Sequence, residues 1–154
     1  MVKHHNLRFV ILDGGHARFV KPASDNALHT EEALDSTHAH SRTSDLVSDR
    51  HGRSFESGSA TRHAYTPRHD PHDLDRLRFA QFIGEKLVTE SAAGAFNELV
   101  VVAPSDILAA VTNALDHDTT AKIIGSLAKD LVKVPDHELW PHLKEWVRPV
   151  HRAG

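Results

Sequence analysis

The stretch of sequence that decides the fold is Leu7-Arg8-Phe9-Val10-Ile11-Leu12-Asp13-Gly14-Gly15-His16-Ala17-Arg18-Phe19-Val20. Its first six residues are mostly apolar and predict a β-strand. Asp13-Gly14-Gly15 is a strong signal for a tight turn, which we attribute to the tolerance of both glycines for positive φ. Residues 16–20 predict the returning strand, which Lys21-Pro22 ends. A β-hairpin is therefore expected at the beginning of a sheet.

Further along the chain, apolar spacing predicts alternating helices and strands. A weaker third strand spans residues 27–34. A long helix begins at Asp70-Pro71 and ends near Gly94, and its inward face carries Leu74, Leu77, Ala80, Ile83 and Leu87. Residues 96–103 are almost continuously apolar, which is typical of a central strand that is covered on both faces.

The last third of the chain predicts two helices and an edge strand. Pro104-Ser105 ends the central strand and caps a helix that continues to Leu115. Residues 120–127 alternate apolar and polar side chains, as in an edge strand. A terminal helix begins at Asp136, and Pro141 is expected to break it.

The predicted order, βββαβαβα, indicates an α/β fold with a five-stranded mixed sheet and helices on its faces. This is the order of ribonuclease-H-like folds, and it does not by itself define a function. A length of 154 residues is typical of a single domain, which we expect to span residues 1–154.

The composition excludes several classes of protein. The absence of cysteine excludes disulfides, thiolate zinc sites and cysteine nucleophiles. The longest strongly apolar run, residues 99–103, is far too short to span a membrane, and the first residues lack an apolar signal region. We therefore expect a cytoplasmic protein without a membrane partner.

Histidine is unusually frequent. The formal charge is −3 with all 14 histidines neutral. One pH unit below the ordinary histidine pKa the net charge would be roughly +10. This dependence of the net charge on pH suggests pH sensing as one hypothesis. The simpler interpretation is that the histidines are exposed and that their charge has no special role.

A long polar excursion, residues 36–72, separates the three predicted N-terminal strands from the first long helix. It is rich in serine and contains few large apolar side chains, so it cannot order itself by burial alone. Its candidate residues for anion or RNA binding are Arg50, His51, Arg53, Arg62, His63 and Arg68. Arginine suits phosphate and carboxylate groups, but a solvated loop balanced by acids is the interpretation that we favour.

Several short motifs together resemble one bacterial family, the proteins required for attachment to host cells. The motifs are Asp13-Gly14-Gly15-His16-Ala17-Arg18-Phe19, Ser48-Asp49-Arg50-His51-Gly52-Arg53-Ser54-Phe55, Pro67-Arg68-His69-Asp70 before Phe79-Ala80, residues 99–104, and Lys129-Asp130-Leu131. The resemblance covers about residues 6–145. Residues 105–109 and Pro141 depart from the family pattern.

The resemblance implies a fold and a range of functions. The family is similar in fold to the middle domain of archaeal and eukaryotic peptide-chain release factors, so it implies a non-catalytic interaction domain whose partner is a protein, or the ribosome or its RNA. An effect on attachment would then be indirect. Release factors use a Gly-Gly-Gln tripeptide for peptidyl-tRNA hydrolysis. In this chain Gly14-Gly15 is followed by His16, so we do not expect that activity.

Catalytic and metal-binding alternatives rest on a few acids and histidines. A ribonuclease-H-like nuclease would hold two metal ions with Asp13, Glu85 and Asp106, although the two aspartates also have ordinary roles in a turn and in a first helical turn. The weak metal candidates are His69 and His72, whose spacing does not match a helix-borne zinc site. We predict no cofactor, since neither a phosphate loop nor a dinucleotide fingerprint occurs.

Overall fold

A computed structural model describes residues 6–39 and 71–147, without the side chains of residues 71 and 72. Five strands form one sheet in the order β3-β2-β1-β4-β5. They are β1 (Leu7–Leu12), β2 (His16–Pro22), β3 (Leu28–Asp35), β4 (Glu98–Val102) and β5 (Ile123–Leu127). The first three strands are antiparallel neighbours, whereas β1, β4 and β5 run parallel. The predicted α/β fold with a mixed five-stranded sheet is confirmed.

Four α-helices and two 3-10 turns complete the named elements of the described ranges. They are α1 (Pro71–Ala92), α2 (Ser105–Asn113), α3 (His117–Thr120), α4 (Trp140–Leu143) and the 3-10 turns Asp136–Glu138 and Lys144–Trp146. Residues 36–39 are also helical. No helix in the described part of the chain is long and apolar enough to cross a membrane.

The sheet has an apolar core on each face. On one face, Val10 and Val101 pack with Phe79 and Ile83 of α1 and with Ile107 of α2. On the other face, the neighbouring residues of the same strands pack against Leu131, Leu139, Leu143 and Val147. Because side chains alternate along a strand, β1 and β4 are covered on both sides, as predicted for β4.

The second core is closed by residues 131–147, which we call the C-terminal segment. Its helical parts are short, because Pro141 lies at the first turn of α4 and separates it from the 3-10 turn before it. The predicted break at Pro141 is therefore confirmed. The sheet has long helices on one face and this largely irregular segment on the other.

Arg18 joins the C-terminal segment to β2. Its guanidinium donates hydrogen bonds to the backbone carbonyls of Leu131 (3.3 Å), Val132 (3.1 Å) and Val134, and it forms an ion pair with Asp136. The Thr30 amide also donates to the Asp136 carboxylate, at 2.9 Å. Only 11% of the Arg18 side chain is exposed. These bonds satisfy carbonyls that no regular secondary structure would pair.

Several boundaries differ from the sequence prediction. Leu74 and Leu77 were expected to face inward, but they are 37% and 40% exposed. The predicted cap by Pro104-Ser105 is wrong in one respect: Pro104 occupies the N-cap position of α2, but no side chain donates or accepts a capping hydrogen bond there. Most of the predicted excursion, residues 40–70, lies outside the described residues, and the single-domain extent stays a prediction.

Close packing of α1 on α2 depends on Gly84. A Cβ atom at this position would lie 2.6 Å from the Ala114 Cβ and 3.1 Å from the Val111 carbonyl oxygen. The absence of a side chain therefore sets how closely the two helices approach. This contact fixes α2, which follows the carboxyl end of β4, relative to α1.

Candidate functional site

The carboxyl ends of β1 and β4 meet at one edge of the sheet, because these two strands are parallel neighbours. Asp13 follows β1 directly, and Asp106 lies in the first turn of α2, just after β4. In open α/β sheets, ligands bind at this edge, where the connections leave in opposite directions. After β1 the chain continues into the antiparallel hairpin, and after β4 it continues into α2. This edge is therefore where a ligand-binding site is expected.

The first part of the site is a turn formed by residues 13–16, which we call the glycine turn. The Asp13 amide donates to the His16 carbonyl oxygen at 2.9 Å. The Asp13 carboxylate accepts hydrogen bonds from the amides of Gly15 (2.8 Å) and His16 (2.7 Å). The Ser36 amide donates to the Gly15 carbonyl oxygen at 2.8 Å, which ties the end of β3 to the turn. Asp13 thus holds the backbone of the turn, as an Asx residue does.

The two glycines of the turn have different roles, and neither is the predicted one. Among the described glycines only Gly94 has a positive φ, so tolerance for positive φ does not explain Gly14 or Gly15. A Cβ atom at Gly14 would lie 2.6 Å from Cγ of Arg76, whereas one at Gly15 would meet nothing within 4 Å. Gly14 therefore provides the space that the Arg76 side chain occupies.

Arg76 connects the glycine turn to the end of β4. From α1 it crosses Gly14, and its Nη2 atom donates to the Asp106 carboxylate at 2.9 Å. This hydrogen bond, strengthened by the charge of the guanidinium, outweighs burial and lowers the pKa of Asp106 below its usual range. Asp106 is therefore ionised near neutral pH and fixes the direction of the guanidinium.

A cavity of about 290 Å³ opens at this point. It is lined by Asp13, Gly14, Gly15, His16, Ser36, Asp75 and Arg76. The His16 side chain is 60% exposed at its mouth, with Nδ1 3.5 Å from the Asp13 carboxylate. The cavity offers a guanidinium, an imidazole and backbone groups within one small space, which suits the recognition of a polar group.

The structure brings together two of the three acids of the nuclease interpretation. Asp13 and Asp106 lie at the same edge, with Arg76 between them. Glu85 lines a separate cavity, and its nine-residue distance from Arg76 on α1 corresponds to about 13 Å along the helix axis. Among residues 6–39 and 71–147, no group of three or more acids and histidines is arranged to hold a metal ion.

The other predicted site residues cannot be placed. All six candidates for anion or RNA binding, Arg50, His51, Arg53, Arg62, His63 and Arg68, lie outside the described residues, as does His69. His72 belongs to the first turn of α1, but its side chain is also outside the description.

Arg76 is the residue that sequence reasoning missed. Its signal is present in the pattern, because it lies three and four residues before the buried Phe79 and Ala80. Residues at these spacings share one face of a helix. An arginine on this side of α1 is partly covered and needs an acid within reach, which the structure provides in Asp106.

Comparisons with known proteins were made against solved structures, curated proteins and protein families. The structures found include the crystal structure of the archaeal translation termination factor aRF1, which is 12% identical with a TM-score of 0.47. That match covers 93% of this chain, which spans only 39% of the chain of that structure. No curated protein matches. The model of the family described as "Protein required for attachment to host cells" matches residues 9–143, which confirms the predicted resemblance. The chain therefore belongs to the family of proteins required for attachment to host cells.

Proposed function

We propose that this chain contributes to attachment by binding a macromolecule in the cytoplasm rather than by catalysis, and that its partner is the ribosome or its RNA. The effect on attachment is then indirect. The glycine-turn cavity is the part of the described structure that meets the partner.

The observation that carries this proposal is the way Arg76 is held at the cavity. Its side chain crosses Gly14 and is directed by the Asp106 carboxylate. The Asp13 carboxylate is occupied by two amides of its own turn. Because these acids already maintain the shape of the site, the arrangement favours recognition by a preset surface over proton transfer by a mobile acid.

Arginine is also the cation best suited to RNA phosphates, since its planar fork can donate two parallel hydrogen bonds. At the glycine turn, the exposed His16 imidazole adds ring nitrogens that can take part in hydrogen bonds. The sequence contains five further arginines between residues 42 and 68. These features support an anionic partner, and ribosomal RNA is the one that we propose. The two carboxylates that also line the cavity are engaged within the protein, Asp13 by the amides of the turn and Asp75 by Arg78.

The experiment compares two neighbouring substitutions of the same kind. Gly14→Ala places a methyl group where Arg76 lies, whereas Gly15→Ala places one in open space. Each variant is mixed with purified bacterial ribosomes and sedimented. We expect the wild type and Gly15→Ala to sediment with ribosomes, and Gly14→Ala to do so at least threefold less well.

Two results would contradict the proposal, each in a different part. If the wild-type chain does not sediment with ribosomes and is not enriched from a ribosome-containing lysate over a depleted one, the partner is wrong. If both alanine variants sediment as well as the wild type, the partner stands but the glycine turn is not the contact surface. Circular dichroism of both variants checks that they remain folded.

A further inference from the structure

A second cavity lies between the edge strand β3 and α1, away from the glycine turn. It has a volume of about 410 Å³. We call it the β3 groove, and it is lined by Leu34, His38, Phe82, Glu85, Lys86, Thr89 and Glu90. Among the strands that the structure describes, none lies beside β3 on its outer side. Within the described residues, the groove is therefore the place where the helix-side core reaches the edge of the sheet.

The floor of the β3 groove is apolar. Leu34 and Phe82 are both half-buried and pack against the core between the sheet and α1. The Phe82 ring is held in place by Phe79, with 6.3 Å between the ring centroids. A ligand with an apolar side chain would cover this floor without first displacing any of the core.

The rim of the groove carries more negative than positive charge. Of its lining residues, Glu85 and Glu90 are carboxylates and Lys86 is a cation. Glu32, which pairs with Lys86, adds a third carboxylate, and Arg8, which pairs with Glu90, adds a second cation, so the local balance is −1. A net negative charge with an unpaired carboxylate favours a cationic partner.

The cations of the rim are already occupied. Lys86 lies between Glu32 (3.2 Å) and Glu90 (2.8 Å). Burial alone would lower the pKa of Lys86, but its hydrogen bonds to Glu90 and Glu32 outweigh this effect and raise it, so the amine stays protonated. Arg8 in turn contacts Glu90 and lies between the rings of Phe19 and Phe96.

Glu85 is the carboxylate that remains available. It is exposed at the groove, and its contact is with the Gln81 amide at 3.5 Å. Within the described residues, it has no cation at ion-pair distance. A positive group in the groove could therefore pair with Glu85 without displacing another cation.

We propose that the β3 groove binds a basic peptide segment of a partner protein, with an apolar side chain on Leu34 and Phe82 and a neighbouring lysine or arginine at Glu85. The aliphatic part of a lysine or arginine can cover apolar surface while its charged end reaches a carboxylate. The groove meets both requirements at adjacent positions. The contact is independent of the glycine turn, so each surface can be tested without the other.

The test uses a fluorescein-labelled hexapeptide that alternates lysine with leucine, titrated against the full chain at low salt and read by fluorescence anisotropy. A glutamate–leucine peptide tests the charge, and a lysine–serine peptide tests the apolar floor. We expect the lysine–leucine peptide to bind at least tenfold more tightly than either. Glu85→Gln should weaken it about threefold, as expected for an exposed ion pair.

The matched control is Glu145→Gln, which neutralises an exposed acid in the C-terminal segment, on the opposite face of the sheet. It should leave binding unchanged. Backbone amide shifts in the wild-type chain should move mainly within residues 34–38 and 82–90. The proposal is overturned if the lysine–leucine and glutamate–leucine peptides bind equally, if Glu85→Gln behaves like Glu145→Gln, or if the shifts lie elsewhere.

Discussion

Replacing Arg18 with methionine should release the C-terminal segment from the sheet. Methionine keeps much of the side-chain length but removes every hydrogen bond to Asp136 and to the backbone carbonyls of Leu131, Val132 and Val134. Hydrogen bonds to a charged group contribute about 1.5–3 kcal/mol each, and losing one partner of a largely buried pair costs about 3–5 kcal/mol. Because the Asp136 side chain is 37% exposed and can be rehydrated, we expect a loss near the lower end, about 3 kcal/mol.

The assay is urea unfolding followed by two signals. Both tryptophans of the chain, Trp140 and Trp146, lie in the C-terminal segment, so fluorescence reports on that segment, whereas far-ultraviolet circular dichroism reports on the whole fold. In the wild type the two transitions should coincide. In Arg18→Met the fluorescence transition should occur at lower urea, because the segment detaches first.

The control is Arg78→Met, which removes an arginine that is 71% exposed and lies 3.7 Å from Asp75. Such a pair contributes less than about 1 kcal/mol. If Arg18→Met loses no more stability than Arg78→Met, or if its two transitions stay together, the proposed role of Arg18 is refuted.

Four further outcomes follow from the same contacts. Hydrogen bonds from Thr30 and Arg18 outweigh burial and lower the pKa of Asp136, so its contribution to stability should be fully present above about pH 4 and be lost progressively as the pH falls further. In urea titrations, Asp136→Asn and wild type should then differ at pH 7, and the difference should shrink as the pH is lowered below about 4. Gly84→Ala should cost about 1–2 kcal/mol despite better helix propensity, and adding Ala114→Gly should restore about half of it in a double-mutant cycle. Gly125→Ala should lower the melting temperature and shift the fluorescence maximum, because the new methyl group would displace the Trp146 indole. Gly94→Ala should cost about 1 kcal/mol in chemical unfolding, because φ is +79° there, while an unchanged midpoint would contradict that reason.

The elements that the sequence predicted well are those with local signals. The bounds of β1 agree with its apolar run and the turn that follows, and α1 begins at Pro71 as its N-terminal pattern indicated. Exposure of Leu74 and Leu77 was not predictable in this way. Helical spacing shows which residues share a face, but it does not show whether another element covers every turn of that face.

Local sequence patterns also did not predict how the sheet face under the C-terminal segment is covered. The C-terminal segment contributes Leu139 and Leu143 to a core without forming a long helix. The pairing of β5 with β4 is irregular, because Leu99 pairs with Ile123 whereas the next residue, Val100, pairs with Gly125. As a result, Ile123 and Leu127 of β5 reach opposite faces of the sheet. A bulge of this kind changes the facing of a strand and leaves little trace in its composition.

At the candidate site, the sequence placed both acids and gave Asp13 its role in the turn and Asp106 its place in a first helical turn, but it did not show that Arg76 would bind Asp106. Asp13 and Asp106 reach the same edge, as expected from the ends of parallel strands. Their partners are the amides of the turn and the Arg76 guanidinium. The Arg76 contact depends on the approach of α1 to the turn, which the hydrogen bond to Asp106 and the close packing at Gly14 both show.

The Arg18 contacts have a consequence for how the chain is made. Arg18 and Leu131 are separated by 113 positions, so at 5–20 residues per second the acceptors emerge roughly 6–23 s after the arginine. During that interval the N-terminal hairpin can form, but the apolar side chains Leu7, Phe9 and Ile11 lack the segment that later covers them. Vectorial synthesis therefore leaves these apolar side chains uncovered until the C-terminal segment has emerged, and exposed apolar surface of this kind favours aggregation of the nascent protein.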